Sequence, residues 1–185
     1  METFTKKRTL GAQEKKGLPI RDVLLIGILL AAGAVLKFFV GSVINFGMKP
    51  NFIIAMYCLI ILLIKPRLLE AAIIGILAGA VCQFFPGQPY INFVSELTGA
   101  AAMCLLTKLP LEQLKIPVKT LCCTFLSTLV SGFTFIGVMY VLYYSGMDIT
   151  PTPLAIFMAI IFGTACINSI IVQVLYIPLK LALKV

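Results

Sequence analysis

Glu96 is the one carboxylate that must sit well inside an otherwise apolar span, in the stretch Tyr90-Ile91-Asn92-Phe93-Val94-Ser95-Glu96-Leu97-Thr98-Gly99. Asn92, Ser95, Glu96 and Gly99 follow the spacing i, i+3, i+4, i+7, which predicts one shared face of a helix. A second charge, Lys37, falls about 15 residues into the first apolar span, roughly 22 Å along at about 1.5 Å per residue. Glu96 falls about six residues into a span entered from the opposite side, about 9 Å deep on the same rise. Both charges therefore reach the same leaflet. A lone charge in hydrocarbon is costly, so the two are expected to pair with each other or with a charged ligand. Lys37 has another option, because its long stem can carry the ammonium to the headgroups. The Glu96 side chain is too short for that. Such a pair suits a small-molecule site that takes a charged ligand.

The residues around this pair widen the candidate site. Lys49 and Asn51 flank Pro50 at the start of the second span, and Gln88 lies in the turn Pro86-Gly87-Gln88-Pro89 that leads to Tyr90 and Asn92. Lys49 reads either as a cation at the mouth or as an ordinary loop lysine. The fifth span carries Thr124, Ser127, Thr128, Ser131 and Thr134 at helical spacing. This stripe reads first as helix–helix hydrogen bonding, with Thr134, the outermost, placed to line a cavity. Asn168 shares a face with Thr164 and either joins helices or touches ligand. Phe84, Phe85, Tyr90, Phe93 and Tyr140 are candidates for aromatic walls.

Enzyme chemistry finds little here. There is no histidine, which excludes imidazole metal sites and His-based triads. The six cysteines show no Cys-x-x-Cys spacing and read as small buried hydrophobes. No nucleotide loop, metal-ligand cluster or nucleophile–base pair is present. No catalytic residue, metal or cofactor is expected.

The elements that must position these residues are membrane helices. Of the 185 residues 61% are hydrophobic and 12% charged, against about 25% charged in an ordinary soluble domain. Continuously apolar runs long enough for roughly 30 Å of hydrocarbon recur along the chain and argue against a β-barrel. The expected fold is all-α integral membrane, with six transmembrane helices over about 22–45, 51–64, 68–85, 90–107, 119–144 and 152–179. Residues 1–21 read as a basic cytoplasmic tail and 22–185 as a single six-helix domain. Their lead is too polar, and the first span too long, for a cleavable signal. The ten prolines all fall at these boundaries. Thirteen of the fifteen basic residues fall on one side of this arrangement, which explains the net charge of +8 by topology rather than by nucleic-acid binding and predicts both termini inside. Anionic lipid is the expected neighbour of the tail.

Two small-residue patterns concern packing: Gly27-x-x-x-Ala31 on the first span and Ala71-x-x-x-Gly75-x-x-x-Gly79 on the third. Such spacing lets helix backbones approach, within the chain or toward a partner. Gly27 and Ala31 are turned roughly 100° from Lys37, so the first helix can offer one face to a partner and another to the site.

Six short-looped spans, a basic lead and small-x-x-x-small in the first helix resemble the substrate-capture (S) component of an energy-coupling factor transporter. Three local runs resemble more narrowly the bacterial tryptophan-transporter family: Gly47-Met48-Lys49-Pro50, Phe85-Pro86-Gly87-Gln88-Pro89-Tyr90-Ile91-Asn92, and Ile167-Asn168-Ser169 with Leu175-Tyr176 and Pro178. After Asn92 the chain departs from that family's pattern with Ser95-Glu96-Leu97. The resemblance implies a bacterial plasma-membrane protein and an outward-opening site built from outer loops and helices four to six. It also implies that Gly27 and Ala31 dock a transmembrane coupling subunit driven by two ATPase subunits. The expected cargo is tryptophan or a related aromatic or zwitterionic small molecule or vitamin. A stand-alone secondary carrier with Glu96 as ion or proton relay is the alternative, although no internal repeat or broken helix supports it. A purely structural membrane protein with an internal Lys37–Glu96 pair is the third reading.

Overall fold

The computed structural model describes residues 17–43, 50–86, 90–109, 116–149, 151 and 153–184. These form six helices: α1 (Ile20–Val43), α2 (Ile53–Ile64), α3 (Leu68–Cys82), α4 (Ile91–Lys108), α5 (Ile116–Tyr144) and α6 (Leu154–Leu183), with no strand among the described residues. Most of the basic lead, together with Lys49 and Gln88, lies outside the described residues.

α2 is the axis of the bundle. It packs against each of the other five helices, and Ile53 to Leu63 are all buried. A helix apolar all round belongs inside; here every neighbour is protein. That explains its length. Its 12 residues reach about 18 Å at about 1.5 Å each, short of the roughly 30 Å of a bilayer core. An enclosed helix need not match that thickness, because lipid never meets its ends. α3 is also short, at 15 residues. Among the described residues three helices are long and apolar enough to cross a membrane, within Ile20–Val40, Val118–Tyr144 and Leu154–Leu183. Their outward faces carry large exposed apolar side chains, among them Leu24, Ile28, Phe39, Val141, Ile170 and Val174. A face of this extent is unsuited to water and suited to lipid.

α3 and α4 form the most extensive helix pair, and Gly75 shows why. A Cβ there would lie 2.6 Å from the Glu96 carbonyl oxygen and 2.8 Å from Leu97 Cα. Gly79 stands equally close to Phe93. The Ala71–Gly75–Gly79 pattern is thus spent on packing within the chain. Gly27 is the opposite case: it is exposed, a Cβ would meet nothing within 4 Å, and Ala31 beside it is exposed as well.

Pro117 falls at the boundary of a helix and Pro178 inside one. Pro117 sits in the first turn of α5, where a missing N–H costs nothing. Pro178 lies within α6, which continues to Leu183. It removes one backbone bond near an exposed end, so the helix tolerates it. That same end is held to the start of α1, where the Arg21 guanidinium donates to the Leu183 carbonyl.

Candidate functional site

Asn51, just ahead of α2, is the hub. Its Oδ1 accepts the Ile53 N–H at 3.3 Å, which steadies the start of the helix. Its Nδ2 donates to Glu96 Oε1 at 2.5 Å. Its backbone carbonyl accepts Asn168 Nδ2 from α6 at 3.2 Å. One residue thus ties α2, α4 and α6 together at a single level.

Glu96 is 1% exposed. Gly75 brings α3 against the backbone at this point, and Ser131 of α5 donates to Glu96 Oε2 at 3.4 Å. One turn further along α4, Gly99 leaves room for the Tyr57 hydroxyl, and a Cβ there would strike it. The seam continues through Ser127, which donates to the Gly99 carbonyl at 2.9 Å and accepts the Cys58 thiol at 3.4 Å. Two fully buried polar atoms next to this network, Tyr57 Oη and Asn168 Oδ1, have no hydrogen-bond partner among the described residues.

Lys37 is 7% exposed, so it is directed inward rather than toward headgroups. Its ammonium donates to Cys82 Sγ at 3.4 Å and lies over the Phe85 ring, 5.1 Å from the centroid. It does not pair directly with Glu96. The two charges are linked through Cys82, which the Asn51 amide also approaches at 3.6 Å. The cluster combines a carboxylate, an ammonium, two amides and two hydroxyls among buried apolar side chains. These are the kinds of group that pair with charges of both signs.

Of the residues singled out by spacing, Lys37, Asn51, Glu96 and Asn168 meet here. Others do not. Tyr90 is exposed with a left-handed backbone (φ 69°), and its amide donates to the Gln83 side chain at 3.3 Å. Asn92 is half-buried beside Gly79. Thr134 accepts the Thr98 hydroxyl at 3.1 Å and itself bonds Val130, so it joins α4 to α5. Among the proposed aromatic walls, Phe84 is 87% exposed and Tyr140 stacks on Tyr144, while Phe85 touches the cluster through Lys37. Sequence reasoning passed over Tyr57 and Cys82, and assigned Ser131 to helix packing. Tyr57 had a readable signal, as the one phenol in a wholly apolar helix. Cys82 had none.

The family described as Tryptophan transporter TrpP matches residues 19–184. The chain belongs to this family. A protein of Clostridium acetobutylicum described as "Probable tryptophan transport protein" is 25% identical over 172 residues, covering 90% of this chain and 95% of the relative. No solved structure matches. The TrpP match begins just before α1 and ends at the C-terminal end of α6, so it contains every helix and every residue of the cluster. The family is one of transport proteins.

Proposed function

We propose that this chain captures tryptophan, or a closely related aromatic zwitterion, at the Lys37–Asn51–Glu96–Asn168 cluster and delivers it into the cell as the substrate-binding subunit of an ATP-driven importer of the energy-coupling factor class. The observation that carries the reading is a buried cluster of opposite charges and amides in a chain of the tryptophan-transporter family. The helices cross the plasma membrane six times with both termini inside, which the distribution of lysine and arginine supports. Energy comes from outside the chain: a transmembrane coupling subunit and two ATPases act on it, and Gly27 and Ala31 on the exposed face of α1 receive the coupling subunit.

Binding is tested on the purified protein. Glu96→Gln keeps the shape and removes the charge, and should weaken L-tryptophan binding at least tenfold, about 1.4 kcal/mol. Calorimetric titration that finds unchanged affinity would remove Glu96 from the site. Docking is tested separately. Gly27 has open space at its Cβ position and Ala31 is exposed, so the melting temperature of the double variant Gly27→Leu, Ala31→Leu should stay within about 2 °C of the parent. ATP-dependent uptake should fall about tenfold, because large side chains hold helices apart. Full uptake by this variant would end the docking assignment. Uptake by the lone protein in liposomes, driven by a proton gradient, would replace the ATP-driven reading by secondary transport.

A further inference from the structure

The two charges of the cluster are unequally satisfied. Glu96 has a donor on each oxygen, Asn51 Nδ2 at 2.5 Å and Ser131 Oγ at 3.4 Å. Lys37 is nearly as secluded and carries three N–H donors. Among the described residues its ammonium donates to the Cys82 sulfur and lies over the Phe85 ring, with no hydrogen bond to an oxygen. A thiol sulfur is a weak acceptor, and a ring face attracts an ammonium only modestly. Neither replaces the hydration that a buried ammonium gives up. The Asn51 amide approaches the same sulfur at 3.6 Å, so two donors converge on one poor acceptor. A carboxylate oxygen is the group that completes such an arrangement, through short charge-assisted bonds.

The ammonium end of a ligand is differently placed. It has several acceptors to choose from: the spare lone pairs of Glu96 and the unpartnered Oδ1 of Asn168. Losing the ligand's ammonium leaves Glu96 still bonded on both oxygens. Losing the ligand's carboxylate leaves Lys37 with a thiol and a ring.

We infer that the site selects its ligand chiefly by the carboxylate, which docks on Lys37 at the Cys82–Phe85 side, and that the ammonium contributes less. This rests on the proposed capture of an aromatic zwitterion at the cluster.

Three probes on the purified full chain separate the two ends: L-tryptophan, indole-3-propionate (carboxylate without amine) and tryptamine (amine without carboxylate). By calorimetry, indole-3-propionate should bind within about tenfold of tryptophan, and tryptamine at least about a hundredfold more weakly than tryptophan. Lys37→Met should weaken both carboxylate ligands about thirtyfold and should not weaken tryptamine, which loses a like charge beside its ammonium, and Lys37→Arg should recover part of the loss. The wild-type series decides the matter even if Lys37→Met fails to fold. Tryptamine binding as tightly as indole-3-propionate, or a Lys37→Met loss equal for all three probes, overturns carboxylate selection and leaves tryptophan capture standing. Lys37-dependent binding of indole-3-propionate with no binding of tryptophan supports the carboxylate subsite and overturns the tryptophan reading. No binding of any probe overturns both.

Discussion

Gly75→Leu should yield little monodisperse protein, and what is recovered should melt well below the parent. The reason lies in what the new side chain would meet. Its first carbon would stand 2.6 Å from the Glu96 carbonyl, 2.8 Å from Leu97 Cα and 2.9 Å from Ala100 Cβ. Two of these are backbone atoms, so no flexible side chain can swing aside. α3 and α4 must separate along their most extensive contact. Overpacking of this kind costs about 1–3 kcal/mol and sometimes more, and leucine adds three carbons beyond the first. Gly75→Ala should fall between parent and Gly75→Leu. Elution profile and thermal unfolding in detergent give the readout. A Gly75→Leu protein with the parent's melting temperature would mean that α3 and α4 do not pack as described.

Asn51→Leu should leave the bundle folded and lower tryptophan affinity about a hundredfold. The substitution removes the 2.5 Å donor to Glu96 and the second donor to Cys82, and it places an isobutyl group against a buried carboxylate. A hydrogen bond to a charged group is worth about 1.5–3 kcal/mol, and each 1.4 kcal/mol is about tenfold in affinity. The Asn168 contact survives because it uses the Asn51 backbone carbonyl, so α6 keeps its place. Asn51→Asp should bind more weakly still, since it sets two carboxylates face to face. Titration with L-tryptophan gives the comparison. Affinity of Asn51→Leu within about threefold of the parent would show that the amide does not organise the site.

These two substitutions also mark where sequence reasoning stops. Glu96, Lys37, Asn51 and Asn168 were all visible as polar residues in apolar surroundings. The cost of burying them makes such residues stand out whatever the fold. Their connections were not visible. Depth along two spans suggested that Lys37 and Glu96 pair with each other or with a charged ligand; it did not show that Lys37 bonds Cys82, or that Asn51 bonds both Cys82 and Glu96. Depth is one coordinate, and the rotation of each helix about its axis supplies the others. Tyr90 and Thr134 failed to join the cluster for the same reason. Each lies in a plausible stretch but is aimed elsewhere, toward the exterior and toward Thr98.

Helix packing shows the same division. The spacing of small residues is alike in Gly27–Ala31 and Gly75–Gly79. One pattern faces out with open space before it, and the other is closed by α4. Only neighbouring elements distinguish a docking face from an internal seam. Hydropathy likewise treats α1 and α2 as equivalent apolar segments, yet α1 exposes Ile28 and Phe39 while α2 is enclosed on every side. Lipid and a protein interior select the same side chains.

The sequence by itself determined that the chain is helical and apolar, which residues carry the costly charges, and which family the local runs resemble. Composition, helical spacing and the expense of buried charge are local quantities, legible one segment at a time. The tertiary structure decided that α2 is the axis, that Asn51 joins three helices at one level, and that Lys37 bonds a thiol. Those are relations between segments far apart in the chain, set by how the helices rotate and close on one another.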